Sequence, residues 1–254
     1  MQLEGQVAVI TGASSGMGAS TARYLANRGV QVGLLDINKQ GLDEIANETN
    51  GCGVECDVSN ADSMRDGIGQ IRERLGSPRI LVNCAGIAPA KRIVGREGAM
   101  PLDDFRRVIE INLIGTFNAM RCAAEIMTQL DPVTDSGERG VIICTASVAA
   151  YEGQIGQAAY ASSKSGIVGL TLPAAREFAK FGIRVMTIAP GLIGTPMLLG
   201  MPEEVQINLA ASVPFPKRFG SPDEYSKLVE HIITNEMLNG GVIRLDGAIR
   251  LQPT

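Results

Sequence analysis

Histidine is nearly missing from this sequence: among 254 residues there is one, His231. That scarcity excludes multi-histidine metal sites and leaves little room for imidazole acid–base catalysis. His231 falls far from the motifs described below and is expected to pack, or to sit on a surface helix. Cysteine is also sparse. Cys52, Cys56, Cys84, Cys122 and Cys144 are odd in number and widely spaced, which does not form a disulfide framework. Cys52 and Cys56 lie four apart, but no second Cys or His pair completes a zinc site, so no metal is expected. The cysteines are read as reduced core residues of a protein in a reducing compartment. No apolar run approaches the roughly 18 residues of a membrane span, and no leader-like segment precedes the first motif. The expected location is therefore cytoplasmic, with no membrane partner. Excess charge is absent too: the formal net charge is -4, which gives no electrostatic reason to expect nucleic acid as a partner. Chemistry must rest on Tyr, Lys, Ser, Cys or carboxylates.

What is present is an alternation of short apolar runs and longer helical patterns. Strands are predicted at Gln6–Thr11, Gln31–Asp36, Val54–Cys56, Arg79–Asn83, Val141–Ala146, Ile183–Ala189 and Val242–Asp246. Helices are predicted at Met17–Asn27, Lys39–Thr49, Asp62–Leu75, twice within Leu102–Leu130, and at Ala158–Phe181, Glu203–Ala211 and Asp223–Thr234. Asp131–Arg139 reads as a surface loop. Strands apolar throughout and separated by helices imply a parallel sheet buried on both faces. The expected fold is α/β: one Rossmann-type, doubly wound domain over residues 1–254, with a seven-stranded parallel sheet.

The first strand runs into Thr11-Gly12-Ala13-Ser14-Ser15-Gly16-Met17-Gly18, a glycine-rich turn opening a helix. Gly12 permits the turn, Gly16 lets the backbone approach a pyrophosphate, and Gly18 lets the helix pack close to the sheet. The helix N-terminus presents N–H groups and a positive dipole end to phosphates. Asp36 ends the second strand, where a carboxylate takes ribose hydroxyls and repels a 2′-phosphate. Ser15, Ile37 and Asn38 offer no guanidinium, so NAD is the expected cofactor. Asp36 reads equally as an N-cap for the helix after it. Asp57 and Val58 follow the third strand, on the adenine side. Cys84, Ala85 and Gly86 follow the fourth, near the nicotinamide ribose.

The chemistry concentrates in Tyr160-Ala-Ser-Ser-Lys164, whose spacing puts Tyr160 and Lys164 on one helix face. A free phenol, with a pKa of about 10, is a poor base near neutrality. A nearby ammonium favours the phenolate and is expected to lower it. Ser147, just past the fifth strand, offers a hydroxyl to a substrate oxygen.

Taken together, Thr11–Gly18, Asn83–Gly86, Asn112, Ser147, Tyr160, Lys164 and Pro190-Gly191 resemble, in order and spacing, the short-chain dehydrogenase/reductase family over essentially the whole chain. The resemblance implies that Tyr160 is the general acid/base. Lys164 lowers its pKa and binds the nicotinamide ribose, and Ser147 orients the substrate oxygen. Asn112 holds a water in a proton relay, and Pro190, Gly191, Ile193 and Thr195 flank the carboxamide. Met17 and Cys84 stand where the family usually has Ile and Asn. Thr145–Tyr160, Ile183–Gly191, Val213–Lys217 and Asn239–Gln252 are similar to the branch of type II 3-hydroxyacyl-CoA dehydrogenases. That branch implies oxidation of (3S)-3-hydroxyacyl-CoA thioesters with NAD, with Gln157 and Leu198 at the substrate. It leaves a hydroxysteroid or simple secondary-alcohol dehydrogenase as the alternative, and an NAD-binding subunit of a larger complex as another. The family also implies a homotetramer, and some relatives reach mitochondria with an uncleaved N-terminus. Met197–Met201 reads either as an acyl-chain channel or as the packed face of a short helix. Lys91, Arg92 and Arg96, and Lys217-Arg218, read as contacts to CoA phosphates or as solvated charges.

Overall fold

The central strands form because apolar residues fill most of their positions, so both faces can be covered, and the few polar ones, such as Arg184 and Thr187, are buried with hydrogen-bond partners. β1 (Val7–Thr11), β7 (Gly140–Thr145) and β8 (Ile183–Pro190) are buried along their whole length. A computed structural model describes residues 1–253, and at Met197 the backbone alone. With β2 (Gln31–Asp36), β3 (Cys52–Glu55), β4 (Ile80–Asn83) and β9 (Val242–Leu245), these strands make a seven-stranded sheet in the order β3-β2-β1-β4-β7-β8-β9. Every neighbouring pair is parallel. A two-stranded hairpin, β5 (Val94–Gly95) with β6 (Gly98–Ala99), stands outside it.

Side chains alternate along each strand, and the alternation sorts the core into two layers. Val9, Leu35, Leu81 and Ile142 face one side, with α3 (Ala61–Leu75), α5 (Gly115–Met127) and α6 (Ala158–Ala179) over them. Ala8, Ile10, Leu34 and Ile143 face the other, under α1 (Gly16–Ala26), α2 (Lys39–Thr49) and α9 (Pro222–Thr234). Asn60 caps α3 by accepting from Ser63 N, and Ser221 with Glu224 forms a capping box on α9.

The register carries all the C-terminal strand ends to one edge: Thr11 pairs with Asn83, and Asn83 with Cys144. The order reverses between β1 and β4, which opens a crevice there. α4 (Leu102–Ile109) runs through a π turn, Glu110–Ile114, straight into α5. Beyond β8 come the short helix α7 (Pro196–Leu199) and α8 (Glu203–Ala211). No helix among the described residues is long and apolar enough to cross a membrane.

Candidate active site

The glycine turn is built by close approaches that only glycine allows. Gly12 has φ +65, and a Cβ there would lie 2.7 Å from Ala85 N. A Cβ on Gly18 would lie 2.1 Å from Gly12 O, so the first turn of α1 is seated on the loop. Ser15 stands at the N-cap of α1, and its side chain makes no capping hydrogen bond. The N–H groups of that first turn are thus not competed for by a local cap, as an anion site requires. Thr195 lies just above, 3.3 Å from a Cβ built on Gly16. Met17 is half-buried and packs on the α1 side of the sheet.

Asp36 accepts hydrogen bonds from Ser14 N at 3.1 Å and Ser14 Oγ at 2.8 Å through Oδ2, and from Asn38 N at 3.0 Å through Oδ1. It is not the N-cap of α2. Asn38 takes that role, its side chain accepting from Gly41 N. Asp36 therefore stands clear of the helix, its carboxylate fixed beside the glycine loop. Asp57 is exposed and receives Ser59 N and Oγ, while the Val58 side chain is buried in the core beneath it.

Thr11 Oγ1 receives both Cys84 N and Ala85 N at 3.2 Å, which fixes the loop after β4. Gly86 brings that loop against the catalytic side: a Cβ there would lie 3.1 Å from Asn112 Oδ1 and 3.6 Å from Lys164 Nζ. The glycine loop, the Asp36 carboxylate, the bare backbone at Gly86 and Thr195 thus fit a dinucleotide laid across the crevice. Pro190 ends β8, Gly191 N is bonded to Leu245 O at 2.9 Å, and Ile193 is buried, bridged to Gly220.

On α6, Tyr160 and Lys164 share a face, with Lys164 Nζ 5.8 Å from the Tyr160 ring centre. Lys164 is buried and donates to Thr145 O at 2.8 Å. Burial holds its pKa down, to about 8. Burial also pushes the Tyr160 phenol up, while the Ser147 hydroxyl pulls it back. This direction is opposite to the one expected from a nearby ammonium: desolvation prevails over the Ser147 hydroxyl, and the ammonium's hydrogen bond goes to the Thr145 carbonyl. Ser147 caps a 3-10 turn, Val148–Ala150, its Oγ accepting from Ala149 N at 3.1 Å. That bond fixes the hydroxyl and leaves its proton to donate.

Asn112 sits in the π turn with its side chain fully engaged. Oδ1 receives Ile87 N at 2.8 Å, and Nδ2 donates to Ile87 O and Ser163 Oγ. Its carbonyl accepts from Thr116 Oγ1. The side chain thus acts as a clamp between the Gly86 loop and α6. Ser163, which bonds Tyr160 O at 2.7 Å, and Thr145 were both missed in the sequence, although each lies within two residues of a motif residue. So was Tyr225, fully buried on α9, whose hydroxyl meets Thr145 Oγ1 at 2.7 Å.

Farther out, Gln157 stands at the N-cap position of α6, hydrogen-bonded to Gln154. Leu198 is half-buried in α7; the Met197 side chain lies outside the described residues. A cavity of about 400 Å³ opens beside the β5–β6 hairpin, lined by Ile93, Val94, Gln154, Ile155 and Gln157. Of the basic clusters, Lys91 is paired with Asp104 and Arg218 with Glu224, while Arg92 and Arg96 are exposed. His231 is exposed on α9.

The family model described as short chain dehydrogenase matches residues 6–206. The chain is similar to the 3-hydroxyacyl-CoA dehydrogenase type-2 of Bos taurus, 51% identical over 99% of this chain and 97% of that one. It is 46% identical to the Drosophila melanogaster protein of the same name, over 99% and 100% of the two chains. A crystal structure of 3-hydroxyacyl-CoA dehydrogenase type-2 from Mycobacterium avium superposes with a TM-score of 0.95 at 40% identity, covering 100% of this chain and 99% of that one.

Proposed function

The chain belongs to the short-chain dehydrogenase family, and from that premise we propose that it interconverts (3S)-3-hydroxyacyl-CoA and 3-oxoacyl-CoA with NAD. The observation that carries the reading is the convergence of Ser147, Tyr160 and Lys164 on the crevice edge beside Gly86. The type-2 relatives, alike over nearly the full chain, supply the substrate class.

Bound across the crevice, the dinucleotide supplies the hydride acceptor or donor. In the reducing direction, Ser147 Oγ–H donates a hydrogen bond to the substrate carbonyl oxygen and polarises it. Tyr160 then gives that oxygen its phenolic proton as hydride reaches the carbon. A phenol held protonated by burial suits this direction. In the oxidising direction the phenolate takes the hydroxyl proton back, helped by the positive charge of Lys164. Lys164 also offers N–H donors to the nicotinamide ribose next to Gly86. Asp36 Oδ1, with one hydrogen bond from Asn38, has capacity for ribose hydroxyls, and its charge disfavours a 2′-phosphate. Exposed Ile114, Phe117 and Leu172 on the α5–α6 side support a homotetramer, which light scattering checks by mass.

The test is the loss of NADH absorbance with acetoacetyl-CoA, beside a steroid ketone, a simple ketone and NADPH. Turnover of acetoacetyl-CoA with NADH alone is the expected result. No thioester turnover with reduction of another ketone overturns the substrate class. Tyr160→Phe is expected to lose at least about a thousandfold in kcat with NADH affinity retained. Asp36→Ser is expected to cut the preference for NADH over NADPH at least about tenfold.

A further inference from the structure

Between Ser147 and Tyr160 runs a loop whose two ends hold themselves, through the Val148–Ala150 turn and the Gln154–Gln157 pair. It contains Gly153 and Gly156, the latter at φ +88. Much of what fixes its middle comes from the C-terminal end of the chain. Arg244, on edge strand β9, grips Glu152 with two nitrogens, Nη1 to Oε1 at 2.8 Å and Nη2 to Oε2 at 3.2 Å. The same guanidinium donates through Nε to Asp246 Oδ2 at 2.6 Å and through Nη2 to Ile249 O at 3.1 Å. Arg250 adds contacts to Glu152 at 3.3 Å and Asp246 at 3.4 Å. Leu251 N donates to Glu152 Oε2 at 3.2 Å, Gln154 Nε2 to Gln252 O at 3.0 Å, and Ile155 N to Pro253 O at 2.9 Å. Residues 246–253 thus lie across the loop as a strap, and Glu152 is its knot.

The other end of this cluster abuts the cofactor side. Ala189 pairs with Arg244 and Pro190 with Leu245, and a Cβ on Gly191 would lie 2.8 Å from Asp246 Cβ. The charge cluster that grips Glu152 thus ends at Asp246, packed against Gly191 in the turn after β8. The pair is two-pronged and half-buried, with Arg244 at 25% and Glu152 at 18% side-chain exposure. That is the geometry in which an Arg–carboxylate contact fixes orientation as well as distance.

We propose that Glu152 and Arg244 are positioning residues for the reaction: through the 246–253 strap they hold the 148–157 loop in the shape that presents Ser147 and Gln157 to the substrate. The proposal rests on the reading of Ser147 and Tyr160 given above. Neither residue touches a reacting atom, and the order they impose is felt on the substrate side of the site, while the Asp36 end of the crevice lies beyond β1.

The experiment compares wild type with Glu152→Gln, which is isosteric, and Arg244→Met, in steady-state kinetics and hydrogen exchange. Rates are taken with whichever ketone the wild type reduces, so a wrong substrate class changes the ketone and leaves the ratio of variant to wild type readable. Both variants are expected to lose about ten- to thirtyfold in kcat/KM for the ketone, with KM for NADH within twofold. Amides of 148–157 should exchange faster and those around Asp36 unchanged. The double variant should be no worse than the poorer single one, as for two groups acting through one contact. Arg244→Lys, which keeps the charge and loses the fork, should recover only part of the rate. The proposal is overturned if ketone and NADH constants move together with a lowered melting point, or if both variants stay within twofold of wild type.

Discussion

Two basic side chains are buried among the described residues, at opposite ends of the sheet, and they are treated differently. Arg184, at the start of β8, is matched at nearly every donor. Nε and Nη2 meet Glu138 at 2.8 and 2.7 Å, and the remaining bonds go to Ile232 O, Ile233 O and Leu238 O at 2.8–2.9 Å. Lys164, beside the C-terminal ends of the strands, is as deeply buried but has one protein partner, Thr145 O. No carboxylate faces it, and its pKa falls to about 8 where a lysine would sit at 10.5. Matched donors make the first cation a rivet between β8 and α9. Unmatched donors leave the second with spare hydrogen-bonding capacity, as a site that must receive a ligand requires. Here burial of charge serves stability at one end and function at the other.

Each cation should answer differently to the same replacement. Lys164→Met should cost about a hundred- to thousandfold in kcat, read in the NADH assay. Arg184→Met leaves Glu138 with only the buried Met1 ammonium, at 2.9 Å, and frees the carbonyls of Ile232, Ile233 and Leu238, and should cost about 1–3 kcal/mol, read by chemical denaturation. Its folded fraction should turn over at the wild-type rate, and replacing Glu138 with Met as well should not restore the loss, because the buried Met1 ammonium then loses its own carboxylate. A smaller effect has the opposite sign. Removing the desolvated Lys164 ammonium relieves about 3 kcal/mol, set by its displacement to about 8. Against that stands a carbonyl left unpaired, at about 1–3 kcal/mol. The cofactor-free Lys164→Met protein should therefore melt a few degrees higher than wild type at pH 7. Smallest is the pH dependence of that gap. Above about pH 8 the unfolded wild type holds a proton on Lys164 that the folded form has released, so wild-type stability rises with pH there. The gap in melting point should narrow between pH 8 and 10. A gap independent of pH would mean that the buried ammonium is not its source.

The contrast also marks what the sequence disclosed. Tyr160 and Lys164 announce themselves because their spacing is a helical one and both side chains are chemically distinctive. The glycine turn is legible because Gly12, Gly16 and Gly18 follow a strand that is apolar up to its last residue, Thr11. The partners were not legible. Thr145 meets Lys164 only because α6 packs against the end of β7, and Arg184 meets Glu138 only because β7 and β8 lie side by side in one register. β3 starts at Cys52, not Val54, since pairing with Gly33 extends it past what its own composition signals. The β5–β6 hairpin, with Val94 exposed, has no hydrophobic alternation to betray it. The Glu152–Arg244 contact joins residues 92 positions apart, and no local pattern predicts it.

The π turn at Glu110–Ile114 has a consequence for how this helix tolerates change in length. Its Gly115 N–H reaches back five residues to Glu110 O, one more than an α-helix would. The turn therefore holds one surplus residue within an otherwise continuous rod. Each residue of an α-helix advances the helix by about 100°. Deleting one position here would let the rod close into uninterrupted α geometry while keeping α5 seated on the sheet through Ala119, Ala123 and Met127. The same deletion a turn later, within α5 itself, would swing that apolar stripe away from the core. The chain thus has a slack link at the one place where a side chain, Asn112, must turn aside from its helix to grip a loop. A deletion scan along 108–120 should find its mildest folding defect there, accompanied by loss of the Asn112 clamp.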